Sequence, residues 1–140
     1  MKMIINRFRG IIRRILFGPS LVIYTSGGFP DGELIGKPAQ IGDFSVVLYG
    51  GGIKMGKNVK IGYGVKIISV STITGSNNSK FISDPIDIGD NVEIGSNSVI
   101  LPGVKIGNNV TIGAGSVVTK DIQSNSLVVG VPAKIIKRKK

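Results

Sequence analysis

A branched aliphatic residue recurs at every sixth position from Ile88 to Val118: Ile88, Ile94, Ile100, Ile106, Ile112 and Val118. A period this short requires one small unit stacked on copies of itself, and six residues is the period of a parallel β-helix. Three residues after each rung stand Asn91, Asn97, Gly103, Asn109, Gly115 and Asp121. These residue types best tolerate positive φ, so each hexad is expected to turn a corner at a fixed offset. Two residues before each rung come Ile86, Val92, Ser98, Val104, Val110 and Ser116. Alternation along a strand puts them on the same inward face as the rung. Three hexads then make one triangular coil. The strands of an ordinary β-sandwich recur every 8–12 residues or so with variable turns, unlike this strict spacing.

Upstream the ladder is less regular. Ile35, Ile41, Val47 and Ile53 form a first run with poor corner residues. Met55, Ile61, Ile67 and Ile73 form a second, two residues out of register, with Asn58 and Gly64 at its corners. The shift falls at Gly50-Gly51-Gly52, where a small insertion is easily absorbed. Residues 74–87 interrupt the ladder and read as a loop leaving the wall. Leu127–Val131 reads as a last strand, ended by Pro132. Five or six coils at about 4.8 Å each give a prism roughly 25–30 Å long.

Residues 2–17 read as a helix. Ile4, Ile5, Phe8, Ile11, Ile12, Ile15 and Leu16 form one apolar stripe, the arginines lie mostly elsewhere, and Gly18-Pro19 stops it. Such a helix can lie on a membrane surface. It can also cover the open end of the β-helix or pack on a neighbouring subunit, which is favoured because an uncovered β-helix end invites aggregation. The expected organisation is all-β apart from this segment: a basic amphipathic helix over 1–20, a β-helix over 21–133 with a loop at 74–87, and a basic tail at 134–140.

The 140 residues suffice for one domain with its own core, and the 21 glycines fall mostly at turn positions. Cysteine is absent, which excludes disulfides and thiolate metal sites. No apolar run is long enough to span a bilayer, and arginines interrupt any signal-peptide core. A cytoplasmic protein is expected, with residues 2–17 the segment for any peripheral contact with the inner face of the membrane. The net charge of +10 is concentrated at the two ends, in Lys2, Arg7, Arg9, Arg13 and Arg14 and in Lys134, Lys137, Arg138, Lys139 and Lys140. Such ends suit anionic lipid or a phosphorylated small molecule. With no nucleic-acid fold or aromatic stacking surface in view, nucleic acid is not expected as a partner. Gly62-Tyr63-Gly64 and Gly113-Ala114-Gly115 mimic half of a dinucleotide fingerprint but open no predicted helix.

Residues 86–137 closely resemble the bacterial hexapeptide-repeat acyltransferases. The resemblance rests on Ile88-Gly89-Asp90-Asn91-Val92, Ile94-Gly95, Ile100-Leu101-Pro102-Gly103-Val104, Ile112 through Asp121, and Val129-Gly130-Val131-Pro132-Ala133-Lys134. It implies a left-handed β-helix, a homotrimer, and coenzyme A held in the groove between neighbouring prisms. It also implies an acyl-CoA-dependent transferase, using acetyl-CoA, that acts on a sugar in surface polysaccharide or nucleotide-sugar biosynthesis. By matching position, Ser96 and Ala114 are expected along the pantetheine arm, Thr119 and Lys120 near the nucleotide end, and Lys137 at a phosphate. A thin, extended cofactor needs a wall of small residues with backbone donors, and cations at its phosphate end.

The family's usual general base is a histidine near where Ile67–Gly75 lies, and this chain contains none. Ser69, Ser71, Thr72 and Thr74 fill the corresponding stretch. The zinc-binding relatives of the family hold their metal with histidines, so no metal site is expected. Three readings follow. In the first, the acceptor is an amino sugar, whose amine titrates at about 7–8 and is already partly a free nucleophile; orientation beside the thioester then supplies much of the rate. In the second, a carboxylate replaces the imidazole, with Asp84, Asp87 and Glu93 nearest in sequence; it would have to be buried to become a competent base. In the third, the protein is an inactive trimeric scaffold.

Overall fold

Short strands of two to five residues stack into three sheets, one for each side of a triangular prism, in a computed structural model that describes residues 23–25, 32–73 and 80–138. The first wall joins Ile23–Thr25, Val46–Leu48, Lys66–Ile68, Val99–Ile100 and Val117–Val118. The second joins Leu34–Ile35, Ile53–Met55, Ile86–Ile88 and Lys105–Ile106. The third joins Gln40–Ile41, Lys60–Ile61, Glu93–Ile94, Thr111–Ile112 and Ser126–Val129. All pairings within the walls are parallel until Lys134–Arg138 adds to the third wall antiparallel. The expected helix over 1–20 lies outside the described residues.

The six-residue ladder forms as its spacing requires. Ile88 pairs with Ile106, Ile94 with Ile112 and Ile100 with Val118, so successive coils place rung on rung. All six rungs are buried, and so are the residues two positions before them. An interior of small-section strands leaves room for little else, and each buried isoleucine contributes about 1.5–3 kcal/mol. Serine replaces an aliphatic residue at several inward corners. The buried Ser45, Ser98 and Ser116 hydroxyls donate to the carbonyls of Gly62 (3.0 Å), Gly113 (3.0 Å) and Gly113 (2.7 Å). No buried side-chain polar atom lacks a partner among the described residues.

The corners turn in left-handed backbone. Asn58, Asn91, Asn97, Asn109 and Asn125 have φ between 54° and 59°, and Gly64, Gly103 and Gly115 between 65° and 80°. Asparagine adds a second function at the corner joining the second and third walls. Asn58 donates to Asn91 (3.0 Å), Asn91 to Asn109 (3.2 Å) and Asn109 to Asn125 (3.0 Å), a side-chain ladder along the axis. One residue earlier, Asp90 accepts from the Lys57 N–H, Asn108 from the Asp90 N–H and Ser124 from the Asn108 N–H, at 2.7–2.9 Å. These bonds satisfy corner amides that the sheets leave unpaired.

The upstream coils depart from the even period in physical ways. Val47 pairs with Ile67, and Ile53 and Met55 with Ile86 and Ile88, so the register shift lies between Val47 and Ile53, across Gly50-Gly51-Gly52. Gly52 takes φ 93° to absorb it. Ile35 is not a rung: Leu34 pairs with Ile53, so Ile35 sits outward and is half exposed. Ile73 is not a rung either, because Val70–Ile73 pairs antiparallel with Lys80–Ser83 in a hairpin outside the walls. The interruption expected at 74–87 thus begins at Val70 and ends by Ile86, which is already back in the second wall.

Downstream, Asp121 does not turn in left-handed backbone. The last coil is two residues shorter, so Ile122 bridges to Ile106 and Leu127 pairs with Thr111. The Asp121 carboxylate instead accepts from the Lys105 N–H at 2.8 Å. The expected last strand, Leu127–Val131, is observed as Ser126–Val129, and the segment expected as a tail is a strand through Arg138. Replacing Ile100, fully buried in the first wall, with alanine should lower stability to chemical denaturation by about 2–5 kcal/mol. Lys105→Ala, on the exposed side of the second wall, should change it by less than about 0.5 kcal/mol.

Candidate functional site

The corner between the third and first walls carries Ser96 and Ala114 on adjacent coils. The Gly115 N–H donates to the Ser96 carbonyl at 2.8 Å, and the Asn97 N–H to the Tyr63 carbonyl at 2.8 Å. The Ser96 hydroxyl accepts from the Tyr63 N–H at 3.1 Å, so it is partly committed to the coil below. Ala114 is exposed, and no hydrogen bond occupies its N–H among the described residues. The close stacking depends on the glycine before each corner. A Cβ on Gly62 would lie 2.7 Å from the Ser96 backbone nitrogen and hydroxyl, and one on Gly95 would overlap the Ala114 backbone. The result is a strip of small residues with an available backbone donor.

Beside this corner the outer side of the third wall holds an open depression of about 280 Å³. Gly62 and Gly95 form its edge toward the corner, and Gln40, Lys60, Glu93 and Thr111 supply its polar groups. Lys60 and Glu93 form an ion pair at 3.3 Å, with both side chains about half exposed. Solvent screens such a pair, which contributes roughly 0–1 kcal/mol and leaves both groups free to exchange partners.

The cations expected near the cofactor fall into two groups. Lys137 lies on the strand Lys134–Arg138, opposite Leu127 at the end of the third wall, so it shares that wall with the depression. Arg138 donates to the Gln123 side chain at 3.0 Å. Thr119 and Lys120 are exposed just beyond Val117–Val118, at the other edge of the first wall. Within one chain they stand a sheet's width from Ser96 and Ala114.

The three carboxylates are not brought together. Asp84 is at the base of the hairpin, Asp87 faces outward on the second wall between Lys54 and Lys105, and Glu93 is on the third wall. All three are exposed, whereas the carboxylate reading requires burial. Among the described residues no group of three or more Asp, Glu, Cys or His could hold a metal ion.

Ser69, in the stretch Ile67–Gly75, is fully buried and structural. Its hydroxyl donates to the Leu48 carbonyl (2.8 Å) and accepts from the Gly51 N–H (2.9 Å), and its carbonyl accepts from the Asp84 N–H (3.0 Å). It therefore ties both ends of the hairpin to the wall. Ser71 and Thr72 lie in the hairpin strand Val70–Ile73, and Thr74 is outside the described residues.

One feature of the site is missed by the ladder as read from the sequence. Phe44 occupies the corner slot held by Gly64, Asn97 and Gly115 on later coils, and takes φ 62° while 66% exposed. A bulky residue there carries strain of about 1–3 kcal/mol. Tyr63, one coil on and one residue earlier in its corner, is 61% exposed. Extending the corner spacing upstream through the register shift would have flagged Phe44 as the aromatic among glycines and asparagines.

The structure defines a stacked parallel β-helix with small corners and a cationic last strand, a fold that fixes the scaffold and not the chemistry, and comparison with known proteins supplies the family. The family model for bacterial transferase hexapeptide repeats matches residues 85–120. A hexapeptide-repeat acetyltransferase of Vibrio cholerae, solved with acetyl-CoA bound, superposes with a TM-score of 0.72 at 31% identity over 96% of this chain and 78% of that one. The chain belongs to the hexapeptide-repeat acetyltransferase family. A galactoside acetyltransferase solved with coenzyme A gives a TM-score of 0.74 at 29% identity, covering 97% and 72% of the two chains. Galactoside O-acetyltransferase of Escherichia coli is 39% identical over 112 residues, 64% of this chain and 55% of that one. An N-acetyltransferase of Staphylococcus carnosus that acts on tetrahydropyridine dicarboxylate is 43% identical over 83 residues, 59% of this chain and 32% of that one. The chain spans about half the length of the curated relatives it matches, or less.

Ser69→Ala removes one donor and one acceptor from the hairpin base. It should lower stability by about 1–3 kcal/mol. Amide exchange should accelerate most in the strands Val70–Ile73 and Lys80–Ser83, measured by hydrogen–deuterium exchange.

Proposed function

We propose that this protein transfers an acetyl group from acetyl-CoA to a sugar, with the pantetheine arm along the corner of Ser96 and Ala114. The open Ala114 N–H carries this reading, because it is a backbone donor set in a strip of small residues. It suits an amide carbonyl of the pantetheine arm, and Ser96, one coil away, gives a second polar contact. The cations of Lys134–Arg138 stand at the end of the same prism where the coenzyme's phosphates would lie. Relatives crystallised with acetyl-CoA or coenzyme A support the choice of cofactor.

The active unit in this reading is a homotrimer. The outer side of the first wall is mostly apolar, with Val46, Leu48, Ile68, Val99, Leu101 and Val117 around the single exposed Lys66, while the other two walls show Lys54, Asp87 and Lys105 or Lys60 and Glu93. An apolar wall on one side of a prism suits burial against another copy. A groove between two prisms would also bring Thr119 and Lys120 of one chain toward Ser96 and Ala114 of the next, which one chain alone does not do.

With no histidine in the chain and no buried carboxylate among Asp84, Asp87 and Glu93, an amine acceptor fits the chemistry better than a hydroxyl. The free amine of an amino sugar attacks the thioester carbonyl, the thiolate of coenzyme A leaves, and the amine's surplus proton passes to water or to the thiolate. Binding supplies orientation rather than a base. A role in surface polysaccharide or nucleotide-sugar synthesis is consistent with such an acceptor, and a cytoplasmic site would supply the acetyl-CoA.

Calorimetric titration should show acetyl-CoA binding, and its absence at millimolar ligand would overturn the reading. Ala114→Tyr should weaken binding at least about tenfold by filling the strip. Lys137→Ala should weaken acetyl-CoA binding several-fold, on the order of one charge-assisted contact, and leave acetyl-pantetheine unaffected. The rate of amino-sugar acetylation should rise with pH through the acceptor amine's own pKa, about 7–8, because only the neutral amine attacks. Turnover on hydroxyl acceptors alone would contradict the amine step. Sedimentation should give a trimer, and Val99→Lys with Leu101→Glu should give a monomer.

A further inference from the structure

The corner that carries Ser96 and Ala114 changes character one coil toward the N-terminal end. At Ser96-Asn97 and Ala114-Gly115 its side chains carry no ring. Below Ser96 it presents two exposed aromatic rings, Tyr63 and Phe44. Backbone bonds fix the order of the coils: the Gly64 N–H donates to the Asp43 carbonyl (2.9 Å), the Asn97 N–H to Tyr63 (2.8 Å) and the Gly115 N–H to Ser96 (2.8 Å). Tyr63 therefore lies one coil, about 4.8 Å, below Ser96, and Phe44 one coil further. Every other non-glycine residue with positive φ among the described residues is asparagine. Phe44 holds a conformation that asparagine or glycine would hold with less strain, and its ring is left in solvent. Strain of this kind persists at sites where the side chain is used.

Resting on the acetyl-CoA reading above, the cationic strand at the last coil sets the phosphate end of the cofactor, so the acyl group points toward the earlier coils. The rings begin where the small strip stops. We propose that Phe44 and Tyr63 form the stacking platform for the pyranose ring of the acceptor. A pyranose presents a face of C–H bonds, and the negative face of an aromatic ring attracts it. The sugar's polar groups then remain free at its rim. Gln40, Lys60 and Glu93, in the depression that adjoins Gly62, are placed to hydrogen-bond them. This polar flank favours a sugar over a protein partner, which would seek the more apolar first wall instead.

The test uses the full chain with coenzyme A present and D-glucosamine and D-galactose as probes. Saturation-transfer NMR should show contact between aromatic protons of the protein and the C–H face of a probe sugar. Phe44→Asn and Tyr63→Ala should each weaken sugar binding about two- to tenfold. Acetyl-CoA affinity should not change, and Phe44→Asn should keep or raise Tm because asparagine serves the other corners. Unchanged sugar contacts in both variants, or no sugar contact in the wild type, would overturn the platform and leave the cofactor reading intact. A fall in Tm for Phe44→Asn would also overturn it, by showing the ring to be a packing element. Failure of the wild type to bind acetyl-CoA would overturn both.

Discussion

A coil can sit directly on the one below it only if every corner reverses the chain in very little space. The left-handed backbone at Asn91, Asn97, Asn109, Gly103 and Gly115 does this, and the rest of the structure follows. Tight corners keep the strands short, and short strands leave an interior that only a stack of branched aliphatic side chains and a few serines can fill. The same corners set the coil spacing at about 4.8 Å, which allows side chains to bond to their copies. The Asn58–Asn91–Asn109–Asn125 ladder converts a local conformational preference into a bond between coils.

The geometry that stabilises the corners also shapes the candidate site. Glycine before each corner lets the next coil approach closely, and this close approach leaves a smooth strip at Ser96 and Ala114. A wall of parallel strands offers only an open depression, so a deeper site draws on a corner, an excursion of the chain, or a second prism. This chain has the first two: the strip beside the depression on the third wall, and the paired strands Val70–Ile73 and Lys80–Ser83 tied to the wall at Ser69. In the proposed oligomer the third would come from the mostly apolar outer side of the first wall.

How much of this was readable in the sequence depended on whether a residue's role was repeated. The rungs, the inward partners and the corners from Ile88 to Gly115 are each stated several times over, so one chain carries enough copies to read. Asp121 and Ile73 look like members of those series but are not, because the last coil is two residues shorter and because a hairpin starts at Val70. Hydrophobic spacing alone cannot distinguish a rung from an apolar residue in an excursion. Ile35 was misplaced for the related reason that its neighbour Leu34 fits the inward position and no corner residue marks the phase. Ser96 and Ala114 are expected along one ligand through the resemblance alone, and the structure places them on one corner. The separation of Asp84, Asp87 and Glu93 was not legible, because residues near in sequence fall on different walls whenever a corner intervenes. Phe44 was hidden by the register shift, which obscured the slot it occupies.

The most direct test of the account is an amide chemical-shift titration of the protein with acetyl-CoA. The account predicts the largest shifts at Ser96, Ala114 and Gly115 and along Lys134–Arg138, with Lys54, Asp87 and Lys105 on the second wall unmoved. Shifts centred on the second wall, or none at the Ala114 amide under saturating ligand, would contradict it.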